Sequence, residues 1–334
     1  MNGEAVAVLG AGSWGTALAI QFARAGHPTR LWSRSGADVS AMRAQRQNRR
    51  YLPDAAFPDG IAVHDDLAAA VKGAVAIIVA VPSHALRVLL TQLKPLLARD
   101  ARLAWATKGF ELDTGKLPHQ VAYEVLGDKY PVAVLSGPTF AREVGMGLPT
   151  AMTIASPDAE FAAQLARSLH APNFRAYTST DIVGVEVGGA VKNVLAVGAG
   201  LSDGLGFGAN TRIALITRGL SEVVRLGVAL GAQPETFMGL AGLGDLVLTS
   251  TDNQSRNRRF GLALAEGKSV ETALREIGQV VEGYTAARAV HEVAQRENVD
   301  MPLVRGIYRI LYGNEPARDV VKDLMTRPIR AEVQ

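Results

Sequence analysis

The chain has no cysteine among its 334 residues. That absence excludes a disulfide framework, a thiolate nucleophile and any cysteine-bearing metal site, and no metal is expected. An excess of one charge is missing too. Lys and Arg number 35 against 32 Asp and Glu, a formal balance of +3. So small an excess does not make the basic stripe that nucleic-acid binding requires. The short group Arg46, Arg49 and Arg50 reads as a solvated helix end or loop. A membrane span is also lacking. The nearest approach, 183–201, is interrupted by Glu186, Lys192, Asn193 and five glycines, so no membrane insertion is expected. The first apolar run begins within six residues with no leader before it, which makes the cytoplasm the expected location.

What is present is a large apolar content, 48%, in a length that favours two domains. The most informative segment is Val6-Ala7-Val8-Leu9 running into Gly10-x-Gly12-x-x-Gly15. A buried strand ends in a tight turn, and a helix follows over 16–25 until Gly26-His27-Pro28 stops it. Gly10 permits the turn. Gly12 removes a side chain where a pyrophosphate must approach, and Gly15 lets helix and strand pack closely. The anion would sit on N–H groups at the positive end of the helix. This spacing in this context predicts a dinucleotide site.

Apolar runs recur at 6–9, 29–32, 75–81, 103–106, 132–135 and 151–154, with 174–177 as a further strand. Helical stretches such as 83–97 and 157–170 lie between them. The pattern predicts a Rossmann-type doubly wound parallel sheet over residues 1–180. Beyond it, helical spacing dominates at 212–230, 270–277 and 285–296, and Pro302 marks another helix start. Residues 181–334 are therefore expected to be all-helical.

In such sheets ligands lie beyond the carboxyl ends of the strands. The second strand ends in Ser33-Arg34 with no carboxylate for a ribose 2′-hydroxyl. A guanidinium suits a 2′-phosphate, so NADP is favoured over NAD, although Arg34 could equally be a surface arginine. Ser83 can cap the helix that follows Pro82. Lys108, in Thr107-Lys108-Gly109, points where an anion or reacting oxygen would lie; a solvated loop lysine is the alternative. Gly137, in Ser136-Gly137-Pro138-Thr139, allows close backbone approach. Lys192 sits in an otherwise apolar helix beside Gly188 and Gly189. That face leaves room for something flat, and desolvation would lower the lysine's pKa and make it a proton donor and acceptor. A lysine snorkelling outward is the alternative. The glycine-rich turn 239–244 ends in Asp245, and 249–259 offers hydroxyls, amides and three arginines suited to phosphate. Its plainer reading is a polar interhelical loop.

Together these segments resemble bacterial-type NAD(P)-dependent glycerol-3-phosphate dehydrogenase over essentially the whole chain. The carriers are 10–16, 48–53, 107–109, 135–138, 189–194, 242–246, 255–257 and 281–283. The resemblance implies a helical half of the 6-phosphogluconate dehydrogenase C-terminal-like kind. It implies reversible reduction of dihydroxyacetone phosphate to sn-glycerol 3-phosphate, which feeds glycerophospholipid synthesis. Lys192 would be the proton donor and acceptor. Lys108, Gly137, Thr139, Asp245, Ser255, Arg256 and Asn257 would hold the phosphorylated substrate. Gly10, Gly12, Ser13, Trp14, Gly15, Arg34, Lys108, Ala141, Arg256, Val280 and Glu282 would line the cofactor, with NADPH preferred and NAD as the alternative. A homodimer through the helical half is expected, though no particular residue argues for it. A related NADP-dependent hydroxy-acid or sugar-acid dehydrogenase is the rival reading. A non-enzymatic NADP-sensing regulator explains the glycine turn and Arg34 but not Lys108, Lys192 and the arginine loop together.

Overall fold

A computed structural model describes residues 3–328. Eight strands form one sheet: β1 (Val6–Leu9), β2 (Thr29–Trp32), β3 (Ile61–His64), β4 (Ala76–Val79), β5 (Leu103–Trp105), β6 (Val132–Ser136), β7 (Thr150–Ala155) and β8 (Phe174–Ser179). Their spatial order is β3-β2-β1-β4-β5-β6-β7-β8. The order reverses at β1, where chain direction leads outward both ways, the topology that opens a ligand crevice beyond the strand ends. Strands β1 and β4 are buried at every residue, as expected of parallel strands covered on both faces.

One pairing departs from the expected parallel sheet. β6 and β7 run antiparallel, with Leu135 opposite Ile154. Their connection carries only the six-residue helix Ala141–Met146. That helix packs on the helix Ser13–Arg24, and Arg24 donates to the carbonyls of Val144 and Gly145 at 2.8 and 2.5 Å. β3 had no counterpart among the expected runs. Its four residues read buried, exposed, buried and half-buried, too short a pattern to stand out.

Helix starts follow local chemistry. Asp66, Asp158, Ser255 and Ser269 each accept a backbone N–H from the first turn of the helix they precede. Ser83 does not cap; it is the first helical residue, after Pro82. The Arg46 side chain is not simply solvated. It donates to the carbonyls of Ile61 and Pro58 at 2.7 and 2.6 Å and so staples the entry to β3.

Two compact units emerge: Met1–Gly189 with Gly231–Asp245, and Ala190–Leu230 with Leu246–Gln334. The expected cut near residue 180 lies at the start of the long helix Ile182–Gly204, which contributes to both units. In the first unit, buried Asp181 ties the inserted segment down. Its carboxylate accepts from Gly184 N, Gln233 N and Thr236 Oγ1 at 2.8, 2.9 and 2.6 Å. That helix is the one described helix long and apolar enough to cross a membrane, but 94% of the window is buried inside the protein.

The second unit is helical among its described residues. Its helix Pro302–Tyr312 starts on a buried carboxylate. Glu222, 2% exposed, accepts from Leu303 N and Val304 N at 2.7 and 3.2 Å. Burial outweighs these bonds and pushes its carboxyl up to about 7. The folded state therefore holds this proton more tightly than the unfolded chain, and the group's contribution to stability falls as pH rises from 4.5 to 7. Denaturation of Glu222→Gln beside the parent should show it. The parent's stability relative to the variant should drop by on the order of 3 kcal/mol between pH 4.5 and pH 8; a flat difference would place the carboxyl elsewhere on the scale.

Candidate active site

The elbow after β1 separates the roles of its three glycines. Gly10 has φ +115°, and a Cβ there would lie 2.5 Å from the Ala80 carbonyl oxygen. A Cβ on Gly15 would lie 1.9 Å from the Gly10 oxygen. These two are fixed by the protein's own packing. A Cβ on Gly12 would meet nothing within 4 Å, and its φ of −74° is open to any residue. Gly12 is the N-cap of the helix Ser13–Arg24 and offers no side-chain cap to its first N–H groups. Beside it the Trp14 indole Nε1 is buried with no partner. An open cradle at an uncapped helix N-terminus, with an orphaned donor next to it, fits a dinucleotide pyrophosphate.

Asn48 holds this elbow from the side. It is 3% exposed, and its Nδ2 donates to Ala11 O at 2.9 Å and Thr16 Oγ1 at 2.8 Å. Arg34 is exposed at the end of β2. The unanticipated β3 brings Asp65 to the neighbouring strand end, where it pairs with Arg43 at 3.5 Å.

Farther along the same sheet edge, Lys108 Nζ donates to Asp245 Oδ2 at 2.8 Å; the two side chains are 14% and 2% exposed. Lys108 is thus a held cation rather than a solvated loop lysine. The aliphatic stem of Lys108 passes over Gly189, where a Cβ would lie 3.4 Å from its Cγ and 3.3 Å from Ser136 Oγ. A Cβ on Gly188 would lie 2.7 Å from the Ala241 oxygen. These glycines therefore seat protein atoms, which corrects the expectation that their face stands open. Gly137 has φ +149° and crowds against Met152. Thr139 Oγ1 donates to the Gly137 carbonyl at 3.2 Å, and Ala141 begins the helix that follows.

In the second unit Lys192 is 7% exposed, and its Nζ donates to Thr249 Oγ1 at 3.0 Å. This excludes the snorkelling alternative. The neighbouring Asn193 joins a network that reaches three helices. Its Nδ2 donates to Glu282 Oε2 at 3.0 Å, and its Oδ1 accepts from Asn257 Nδ2 at 2.8 Å. Asn257 Oδ1 accepts from Gly283 N at 2.8 Å. Ser255 caps the helix Arg256–Ala265, accepting from Arg258 N at 3.2 Å. The three arginines do not form one anion cluster. Arg258 is buried and spent on Asp203 at 2.5 Å, Arg259 is exposed, and Arg256 stands at the helix start within 3.5 Å of Gln279. Val280 is exposed and Glu282 half-buried. Among the described residues no group of three or more His, Asp or Glu is placed to hold a metal ion.

The sequence assigns no individual role to Asn48, Asn193 or Ser136, and offers Thr249 only within the phosphate candidate 249–259. Each is a polar side chain that burial forces into a specific partnership or, for Ser136, leaves without one. The elbow geometry yields a split prediction. Gly12→Ala should keep the melting temperature within about 2 °C and raise the KM for NADPH about tenfold or more. Gly15→Ala should lower the melting temperature by about 5 °C or more. Equal effects of the two on melting and on KM would contradict the assignment.

Comparison with known proteins identifies the family. The N-terminal profile of NAD-dependent glycerol-3-phosphate dehydrogenase matches residues 5–162, and its C-terminal profile matches residues 181–322. The chain is 56% identical over 330 residues to a glycerol-3-phosphate dehydrogenase [NAD(P)+] of Pseudoalteromonas translucida, covering 98% of each. It is 55% identical over 326 residues to that of Vibrio cholerae, covering 97% of this chain and 95% of the relative. The crystal structure of glycerol-3-phosphate dehydrogenase from Coxiella burnetii superposes with a TM-score of 0.94 at 47% identity, covering 97% and 99% of the two chains. An elbow shaped for a dinucleotide, a held lysine at the strand ends and a buried lysine on a glycine-rich helix thus lie in a chain that belongs to the NAD-dependent glycerol-3-phosphate dehydrogenase family.

Proposed function

We propose that this chain reduces dihydroxyacetone phosphate reversibly to sn-glycerol 3-phosphate, with Lys192 as the proton donor and acceptor. The observation that carries the assignment is a buried lysine on a glycine-rich helix whose Nζ donates to the Thr249 hydroxyl. An ammonium in that setting offers both a proton and positive charge to a developing alkoxide. In the reverse direction the neutral amine takes the proton from the substrate hydroxyl.

When bound, a reduced nicotinamide would supply hydride to the carbonyl carbon. Gly10, Gly12, Ser13, Trp14 and Gly15 would cradle its pyrophosphate, and Ala141, Val280 and Glu282 would line the rest. NADPH is the favoured form. Exposed Arg34 can meet a 2′-phosphate, β2 ends without a carboxylate, and Asp65 nearby is paired with Arg43. Lys108, oriented by Asp245, adds positive field at the substrate oxygen, with Gly137 and Thr139 beside it. Ser255, Arg256 and Asn257 open a ten-residue helix and would hold the phosphate through hydroxyl, guanidinium and backbone donors. Asn257 retains one amide hydrogen beyond those its partners use.

We place the chain in the cytoplasm and its assembly as a homodimer through the helical half. Ile213, Val228 and Met325 leave large apolar surface exposed there, at 56%, 48% and 82%.

Lys192→Ala should lose ~10²–10⁴ in kcat while still binding NADPH; near-normal turnover would remove Lys192 from its role. Arg256→Ala should raise the KM for dihydroxyacetone phosphate about tenfold or more. An unchanged constant would put the phosphate elsewhere.

A further inference from the structure

A buried carboxylate in the first unit has no part in the chemistry above. Glu186 is 3% exposed. Its Oε1 accepts from Trp105 Nε1 at 2.7 Å and from the His119 backbone N–H at 3.0 Å. Its Oε2 lies 2.5 Å from His119 Nδ1. Trp105 is fully buried and ends β5. His119 is the second residue of the helix Pro118–Leu126, whose N-terminus faces the carboxylate.

The spacing of these partners relates them to the site. Trp105 precedes Lys108 by three residues on the strand side. Glu186 precedes Gly189 by three residues, one turn, on the helix side. The two segments touch at both steps. Glu186 accepts from Trp105, and Gly189 seats the stem of Lys108. A single contact would leave the helix free to slide or rotate against the strand end. Two contacts one turn apart set both translation and rotation. Thr107 secures the strand side independently, its Oγ1 donating to Val81 O at 2.7 Å.

We propose that Glu186 is a positioning residue for Lys108: by clamping Trp105 and His119 to the helix, it sets the seat on which the Lys108 ammonium is aimed. The inference rests on the reading of Lys108 as a contributor to catalysis. It also accounts for a carboxylate in an apolar helix, where an uncompensated charge would be costly. Two N–H donors, Trp105 Nε1 and the His119 backbone, converge on it, with the His119 ring nitrogen in contact with its other oxygen.

A double-mutant cycle tests it. Kinetics are measured for the full-length chain, Glu186→Ala, Lys108→Ala and the double variant, with NADPH and dihydroxyacetone phosphate. Glu186→Ala should lower kcat/KM for the ketone about tenfold or more in the parent, with the KM for NADPH unchanged. It should cost less than about twofold in the Lys108→Ala background. Glu186→Gln, which keeps an acceptor for Trp105 and His119 N, should retain activity within about threefold. The same loss from Glu186→Ala in both backgrounds, with Lys108→Ala itself impaired, overturns the inference alone. Near-normal activity of Lys108→Ala overturns the reading of Lys108 and the inference with it. A loss in Glu186→Gln as large as in Glu186→Ala overturns the clamp. Should Glu186→Ala fail to fold, Trp105→Phe, which removes one donor, runs the same cycle with the same criteria.

Discussion

The structure depends on how closely other atoms approach the backbone of one helix. Along Ile182–Gly204 several positions have no space for a Cβ. In the first unit Gly188 meets the Ala241 oxygen. In the second, a Cβ on Gly198 would press into Ile307, one on Gly200 would lie 2.0 Å from the Arg258 oxygen and one on Gly204 2.5 Å from the Ala265 methyl. Glycine in a helix interior weakens it intrinsically. Here the loss is offset by packing that only a bare backbone permits, and the helix is buried over nearly its whole length. A rigid, backbone-packed helix fixes where each of its side chains begins. That is what a proton donor needs, since catalysis is sensitive to displacements of about 1 Å.

Charge is handled by the same economy. Lys108 has Asp245, Arg258 and Arg212 share Asp203, and Glu186 has Trp105 and His119. Each buried charge has a partner with defined geometry, as low dielectric surroundings demand. Lys192 counts the Thr249 hydroxyl among its partners, at 3.0 Å. The Asn193–Asn257–Glu282 chain next to it is made of amides and one carboxylate, whose hydrogen bonds fix their mutual orientation.

Much of this was legible in the sequence. The glycine elbow, the strand runs from β1 to β8 other than β3, and the change to helix after 180 follow from local pattern, because buried parallel strands and amphipathic helices carry strong periodicity. Lys192 and Glu186 both stand out as charges in an apolar run, but nothing local shows what partners Glu186 has. What was not legible depends on contacts distant in sequence. Nothing local assigns Asp245 to Lys108, or 231–245 to the first unit. Nothing local turns β7 antiparallel, or sends Arg258 inward while its neighbour Arg259 stays exposed. Gly188 and Gly189 were read as leaving a face open; their partners, Ala241 and Lys108, lie about 50 and 80 residues away and fill it.

The central claim is that the Lys192 ammonium delivers the proton to the reacting oxygen. The most direct measurement is a crystal structure of the chain with NADP⁺ and dihydroxyacetone phosphate bound together. The account predicts Lys192 Nζ within about 3.2 Å of the C2 oxygen, or joined to it through one water. A C2 oxygen held by some other proton donor, with Lys192 still bonded only to protein groups, would contradict it.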